Sequence, residues 1–352
     1  MKSYFRPEID AMQGYVPGEQ PKMANLVKLN TNENPFPPSP EVEKLLRSFD
    51  ASRLRRYPVP RADALRCAVA ARNNVSRDNV IIGNGSDDIL TMIFRAFTSP
   101  ELAMAMLYPS YSLYSELAAM QGAEVIKIPL TEKVFALPEN ILELASGANL
   151  LMLTRPNAPT GNSFPISRVE DICRRFDGIV VIDEAYADFA EDNCMHLAAT
   201  LPNVIVMRTF SKSCALAGLR LGYAVGSIEV IDGLMKLKDS YNADMLSQEI
   251  ALAAYNDTEY FSRRVSEVKT MRSMLKAELE KLGFYCVDSS ANFIFAMPPD
   301  GDGKRCFESL REQAVIVRYF PGGATEKYVR ITIGNAAENA RLLEVLRSIY
   351  SK

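Results

Sequence analysis

Histidine is almost missing from this chain of 352 residues; the single one is His196. A metal site built on several histidines is therefore excluded, and a triad or general-base histidine would have to be this residue alone. Its setting, Cys-Met-His-Leu, marks it as structural. The six cysteines, Cys67, Cys173, Cys194, Cys214, Cys286 and Cys306, form no C-x-x-C pair. That fits reduced thiols, mostly core fillers, better than a disulfide or zinc framework. No run approaches the ~20 apolar residues that span a bilayer, and no basic start leads into an apolar stretch with a small-residue cleavage site. A soluble, unexported, cytoplasmic protein is expected. Excess charge of one sign is missing too: 40 Lys and Arg stand against 43 Asp and Glu, a net charge of −3. Neither nucleic acid nor an acidic membrane is an expected partner, although local arginines can still take a small anion. The chemistry has to come from Lys, Asp, Tyr, Asn and Arg, or from an organic cofactor.

What the chain does have is an alternation of short apolar runs and helical patterns between about residues 40 and 240, the mark of a mostly parallel sheet with crossover helices. Candidate strands are 80–82, 103–107, 124–128, 150–153, 179–182, 204–207 and 221–225. After residue 245 come a long amphipathic helix, 260–281, closed by Gly283, strand-like runs at 292–297 and 328–333, and a last helix at 336–350. At about 150 residues per domain, two domains are expected. We expect an N-terminal arm over 1–30, extended because of its Pro and Gly, a large domain over 31–245 and a small α+β domain over 246–352.

The informative motifs each follow a candidate strand, where ligands of open α/β sheets collect. Arg208-Thr-Phe-Ser-Lys-Ser213 places Lys212, Thr209 and Ser211 on one turn, and Arg220 lies eight residues beyond the lysine. Alone, a turn lysine is usually a surface residue. Together, an amine, two hydroxyls and a guanidinium can converge on a phosphate-bearing cofactor, because a guanidinium binds phosphate through two parallel hydrogen bonds. The run Ile179-Val-Val-Ile-Asp-Glu-Ala-Tyr186 ends in Asp183. A carboxylate there can cap a turn or pair with an arginine; against a pyridine ring it would keep the ring nitrogen protonated, with Tyr186 near the ring's phenolic oxygen. In Thr154-Arg-Pro-Asn-Ala-Pro-Thr-Gly161, two prolines and a glycine make a rigid loop that either closes on Asn157 or aims its amide at a ring oxygen. Gly83-Asn-Gly-Ser-Asp-Asp88 opens a helix; lacking Gly-Lys-Ser/Thr it is no nucleotide loop, yet its free backbone N–H groups suit a phosphate.

This set, in this order and spacing, resembles the fold-type I pyridoxal-phosphate aminotransferases. Within them the chain is similar to the histidinol-phosphate branch over essentially its whole length. The stretches Leu29-Asn-Thr-Asn-Glu-Asn-Pro-Phe36, Arg56-Tyr-Pro58, Tyr108-Pro-Ser-Tyr111, Ser290-Ala-Asn-Phe293 and Val329-Arg-Ile-Thr-Ile-Gly334 carry that likeness. Two places depart from the usual pattern: Ala158 stands where a second asparagine is common, and Ser-Cys-Ala follows Lys212. Neither removes a group the chemistry requires.

The resemblance implies an α/β fold with a mostly parallel seven-stranded sheet in the large domain, and pyridoxal 5'-phosphate as cofactor. Lys212 would bind it covalently, Asp183 would face the ring nitrogen, and Asn157 and Tyr186 the ring hydroxyl. Gly85, Ser86, Thr209, Ser211 and Arg220 would hold its phosphate, and Tyr111 would stack on the ring. Tyr57 would reach the phosphate of a neighbouring subunit, which implies a homodimer with shared sites. Arg330 and Arg318 would bind the substrate's anionic group, with Tyr15 and Asn34 assisting. The implied reaction moves an amino group from a small-molecule donor, histidinol phosphate, to a 2-oxo acid. An aromatic amino acid as donor, or decarboxylation of threonine phosphate on the same fold, is the enzymatic alternative. A non-catalytic module of this fold is the other, against which the intact Lys212, Asp183 and Arg220 argue.

Overall fold

A computed structural model describes residues 3–12, 14 and 18–350. The apolar runs ahead of the motifs pair into one seven-stranded sheet. Its order is Val80–Gly83, Gly222–Val225, Val204–Thr209, Ile179–Asp183, Ala148–Thr154, Ala103–Tyr108 and Val125–Pro129. Gly222–Val225 is antiparallel to both neighbours, and the remaining pairs are parallel. Every expected strand is present, with ends displaced by a residue or two.

These strands read as continuous apolar runs because both faces of the sheet are covered. Successive side chains point to opposite faces, so Val180, Ile182, Val204 and Val206 join one core layer, and Val181, Ile205 and Met207 join the other. Helices Asp63–Asn73, Ile166–Arg175, Met195–Thr200 and Met245–Asn256 cover the first face; Ser86–Phe97, Leu113–Met120 and Ile228–Met235 cover the second. Each fully buried Val, Leu or Ile contributes roughly 1.5–3 kcal/mol. Gly83, Tyr108, Thr154, Asp183 and Thr209 all end strands that run the same way. The loops that follow them therefore open onto one edge of the sheet.

A second, antiparallel sheet has the order Arg318–Tyr319, Val329–Thr332, Phe293–Met297, Tyr285–Cys286. Its core is shared with helices Thr258–Lys281, Gly303–Glu312 and Ala336–Tyr350. The first thirty residues are not wholly extended. Pro7–Ala11 is a short helix, favoured by a proline at its start and by Glu8 and Asp10 in its first turn. Arg6 Nη2 donates to Met120 O at 2.6 Å and holds that segment to the large sheet's covering helix. Val27–Lys28 pairs in parallel with Val315–Ile316. Among the described residues no helix is long and apolar enough to cross a membrane.

Candidate active site

Lys212 sits on the turn after Val204–Thr209, and the backbone of that turn is held from several sides. Ser211 N donates to Thr209 Oγ1 (3.1 Å), while Asn34 Nδ2 donates to Lys212 O (2.9 Å) and Ser213 O (3.2 Å). Half-buried Lys212 points its Nζ at Thr31 O (3.0 Å), 5.7 Å from the centre of the Tyr186 ring. Below the turn, Arg208 donates to Glu184 Oε2 (2.7 Å) and Asp188 Oδ1 (3.0 Å), and Ser213 Oγ donates to Asp188. One guanidinium thus ties the residue after Asp183 to the residue after Lys212. Burial disfavours that charge, but Glu184, Tyr223 and Asp188 together more than offset it, so Arg208 stays a cation.

Asp183 ends its strand in a dry setting, 5% exposed. Its Oδ2 accepts from Tyr114 Oη at 2.6 Å and its Oδ1 from Ala185 N at 3.1 Å. Burial raises its carboxyl above the ordinary range, opposed by the Tyr114 and Ala185 hydrogen bonds and reinforced by Asp87 and Glu184. The Tyr114 hydroxyl is itself pushed well up, by burial first and then by Asp183. Tyr186, 9% exposed, accepts from Asn32 Nδ2 at 2.9 Å and stands edge-on to Phe293.

Gly85 is the N-cap of helix Ser86–Phe97 with φ +82, and a Cβ there would lie 2.8 Å from Arg220 Nη2. A Cβ on Gly222 would meet Ser86 N at 2.7 Å. Glycine at both places leaves room for a guanidinium to face free backbone N–H groups at a helix start, which is an anion cradle. Arg220 has φ 53, a left-handed backbone uncommon outside glycine, and its side chain also pairs with Asp87 (3.0 Å). Thr209 and Ser211 are buried, and Thr209 Oγ1 donates to Leu221 O (3.4 Å), the residue after Arg220.

Asn157 is fully buried. Its Nδ2 donates to Pro109 O (3.0 Å) and Thr160 Oγ1 (2.8 Å), and its Oδ1 accepts from Ser110 Oγ (3.0 Å). Both amide protons are committed, one to Thr160 within the loop and one to Pro109 on the neighbouring loop, so a bond to a ring oxygen would have to be shared. Tyr111 meets Tyr114 edge-on, ring centres 5.5 Å apart.

Arg318 and Arg330 are direct partners across neighbouring antiparallel strands, on one face of the second sheet. The strand register thus brings two guanidinium side chains together on that face. Arg330 Nη2 donates to Asn30 O at 3.0 Å, the carbonyl next to the one that holds Lys212. The pair therefore lies beside the lysine, with Phe320 against both guanidiniums. Asn34 is committed to the lysine turn, and it is Asn32 that touches Tyr186. Tyr57 is 78% exposed and stacks on Tyr241, centres 4.5 Å apart. Tyr15 lies outside the described residues. The sequence reading passed over Tyr114, Thr154, Ser110 and Asn32, all hydrogen-bonded within this cluster. The donor set fits pyridoxal phosphate: an anion cradle, a buried carboxylate and a lysine stand at strand ends along one edge of the large sheet.

The chain matches the family described as aminotransferase class I and II over residues 24–346. It is 41% identical to histidinol-phosphate aminotransferase 1 of Nostoc sp., covering 99% of each chain. It is 44% identical to histidinol-phosphate aminotransferase of Syntrophotalea carbinolica, covering 98% of this chain and 99% of that one. In three dimensions it is similar to the histidinol-phosphate aminotransferase of Sinorhizobium meliloti solved in complex with pyridoxal-5'-phosphate, with a TM-score of 0.88, 24% identity and 99% of each chain covered.

Proposed function

Because the chain belongs to the class I and II aminotransferases, and so is a pyridoxal-phosphate-dependent enzyme acting on small molecules, we propose that it takes the amino group of L-histidinol phosphate and passes it to 2-oxoglutarate, giving imidazole acetol phosphate and glutamate. We place the reaction in histidine biosynthesis, in the cytoplasm, and in a homodimer whose sites are shared. The observation that carries the donor assignment is the Arg318–Arg330 pair set beside Lys212. Two guanidiniums suit the dianion of a phosphate ester and, on the second half-reaction, a carboxylate of the 2-oxo acid. The relatives that match over the whole chain bear the same activity in their names.

Bound here, pyridoxal phosphate supplies the electron sink that lets the substrate's α-carbon lose a proton. Lys212 Nζ takes that proton and returns it, and the Thr31 carbonyl holds the amine in range. Asp183 would keep a negative charge for the ring nitrogen, Arg220 and the start of Ser86–Phe97 would hold the phosphate, and Tyr186, steadied by Asn32, would serve the ring oxygen. Arg330 and Arg318 fix the far end of the substrate so that its α-proton faces the amine.

The test is the absorbance spectrum of the protein with pyridoxal phosphate, before and after histidinol phosphate, with tyrosine, glutamate and threonine phosphate in parallel. We expect a visible band that histidinol phosphate removes and 2-oxoglutarate restores. Loss with tyrosine alone would move the donor to aromatic amino acids. An unchanged band in Lys212→Ala would overturn the lysine assignment.

A further inference from the structure

A line of hydroxyls runs from the carboxylate expected at the ring nitrogen to the amide expected at the ring hydroxyl. Tyr114 Oη contacts Asp183 Oδ2 (2.6 Å) and Thr154 Oγ1 (2.9 Å); Thr154 Oγ1 contacts Ser110 Oγ (3.0 Å); Ser110 Oγ contacts Asn157 Oδ1 (3.0 Å). Asn157 cannot be turned end for end, because its Nδ2 faces the carbonyl of Pro109, which only accepts. Its Oδ1 is therefore an acceptor, and Ser110 must spend its one proton there. Tyr114 and Thr154 are buried, at 0% and 2% exposure, so neither can turn to bulk water for a partner.

Counting protons gives an asymmetry. Three hydroxyls bring three protons to four oxygen–oxygen contacts, and both ends of the line are acceptors when Asp183 is ionised. One contact must then go without a hydrogen. If Asp183 carries a proton, it donates to Tyr114, Tyr114 to Thr154, Thr154 to Ser110 and Ser110 to Asn157, and every contact is a hydrogen bond running one way. If Asp183 is ionised, Tyr114 turns to donate to it and Thr154 to donate to Tyr114, and the vacant contact falls between Thr154 and Ser110.

We propose that Tyr114, Thr154 and Ser110 are positioning residues that set the proton affinity of Asp183 in opposite directions: Tyr114, turned to donate, supports the carboxylate and lowers that affinity, whereas Thr154 and Ser110, which accept along the line only in the protonated arrangement, raise it. The other charged groups acting on Asp183, Asp87 on the helix Ser86–Phe97 and Glu184 beside it in sequence, both oppose ionisation. The turn of Tyr114 is thus the nearby change that favours the charged form. This inference rests on the placement of the cofactor's ring nitrogen at Asp183, but its first test needs no cofactor.

Removing hydroxyls at different points of the line shifts Asp183 in opposite directions. Tyr114→Phe deletes the donor that supports the carboxylate, so Asp183 holds its proton to higher pH. Thr154→Val leaves Tyr114 without an acceptor when Asp183 is protonated, yet free to donate when it is ionised, so the proton is lost at lower pH. Ser110→Ala acts in the same direction as Thr154→Val, although it lies two contacts from the acid. The measurement is the carboxylic-acid carbonyl stretch of Asp183, identified by its absence in Asp183→Asn, followed against pH by infrared difference spectroscopy of the full-length protein prepared without cofactor. We expect a wild-type midpoint above that of an ordinary carboxyl, a higher one in Tyr114→Phe, and lower ones in Thr154→Val and Ser110→Ala. Pyridoxal phosphate should abolish the acid signal in wild type, and Tyr114→Phe should bind it on the order of tenfold more weakly, the loss of a hydrogen bond to a charged group. General damage to the site cannot move neighbouring variants in opposite directions. Midpoints that all move the same way, or a wild-type midpoint in the ordinary carboxyl range, would overturn the proposal. A protein that shows these midpoints but develops no visible band with pyridoxal phosphate would instead tell against the functional reading.

Discussion

At the scale of single residues, the buried acid has a cost for the fold as well as a use in the site. The carboxyl of Asp183 is raised above its unfolded value of 3.8, burial being the main cause. The folded chain therefore binds the proton more tightly than the unfolded one, and stability contributed by this group falls as pH rises from the unfolded value through the raised folded value. Asp183→Asn should remove that loss. Melted without cofactor, the variant should match wild type in acid and exceed it near neutrality, on the order of 2 °C or more. Equal melting temperatures at all pH values would mean that the carboxylate is fully compensated. The residues proposed to act through charge or covalent chemistry, Lys212, Asp183, Arg220 and Arg330, could be picked out only as a set in one order and spacing, since each type alone has ordinary structural roles in such runs. Tyr114 was not, since a tyrosine one helical turn past Tyr111 in a mostly apolar helix reads as packing. Only the rule that a buried tyrosine hydroxyl needs a partner could have flagged it. Asn34 and Asn32 show the other limit: two asparagines in one polar stretch differ in role by where the loop turns, here onto the lysine turn and onto Tyr186.

Among elements, the strands of the large sheet were readable to within a residue or two, because burial on both faces writes them as uninterrupted apolar runs. The two-residue strands Val27–Lys28, Val315–Ile316, Arg318–Tyr319 and Tyr285–Cys286 were not, since so short a segment has no period to detect. The proposed division of the chain near residue 245 meets a helix whose buried side, Ile250, Ala251 and Ala254, belongs to the large core, whereas Val268, Leu275 and Leu279 of the next helix belong to the small one. A boundary at Asp257, which caps that next helix, agrees better with the packing. The helix Ser86–Phe97 has the clearest functional consequence. Gly85→Ala would place a methyl group 2.8 Å from Arg220 Nη2 on a backbone with φ +82. The guanidinium must then withdraw from the helix start, and affinity for pyridoxal phosphate should drop by about tenfold or more, while the left-handed backbone makes the alanine lower the melting temperature of the cofactor-free protein as well. Equal cofactor affinity in Gly85→Ala, measured by fluorescence titration, would remove the helix start from the cradle.

For the molecule as a whole, the open question is how the site is completed. Tyr57 stacks on Tyr241 at the surface, and the neighbouring Leu54 and Val59 are exposed as well. We propose this exposed group as the contact surface. In the proposed homodimer this face meets its copy and Tyr57 serves the partner's phosphate, so each site needs Lys212 from one chain and Tyr57 from the other. That arrangement can be read by complementation. Tyr57→Ala and Lys212→Ala should each be impaired at limiting cofactor, the first in affinity and the second in all chemistry. When the two are unfolded, mixed and refolded together, half of the dimers are hybrids by chance. Each hybrid has one site with both lesions and one with neither, because the intact lysine faces the intact tyrosine. Activity should therefore rise to about a quarter of the wild-type level. If Tyr57 instead served its own chain, every site would keep one lesion and mixing would restore nothing. The same null result with a chain that sediments as a monomer would discard the shared site altogether and leave Tyr57 as half of an exposed stack with Tyr241.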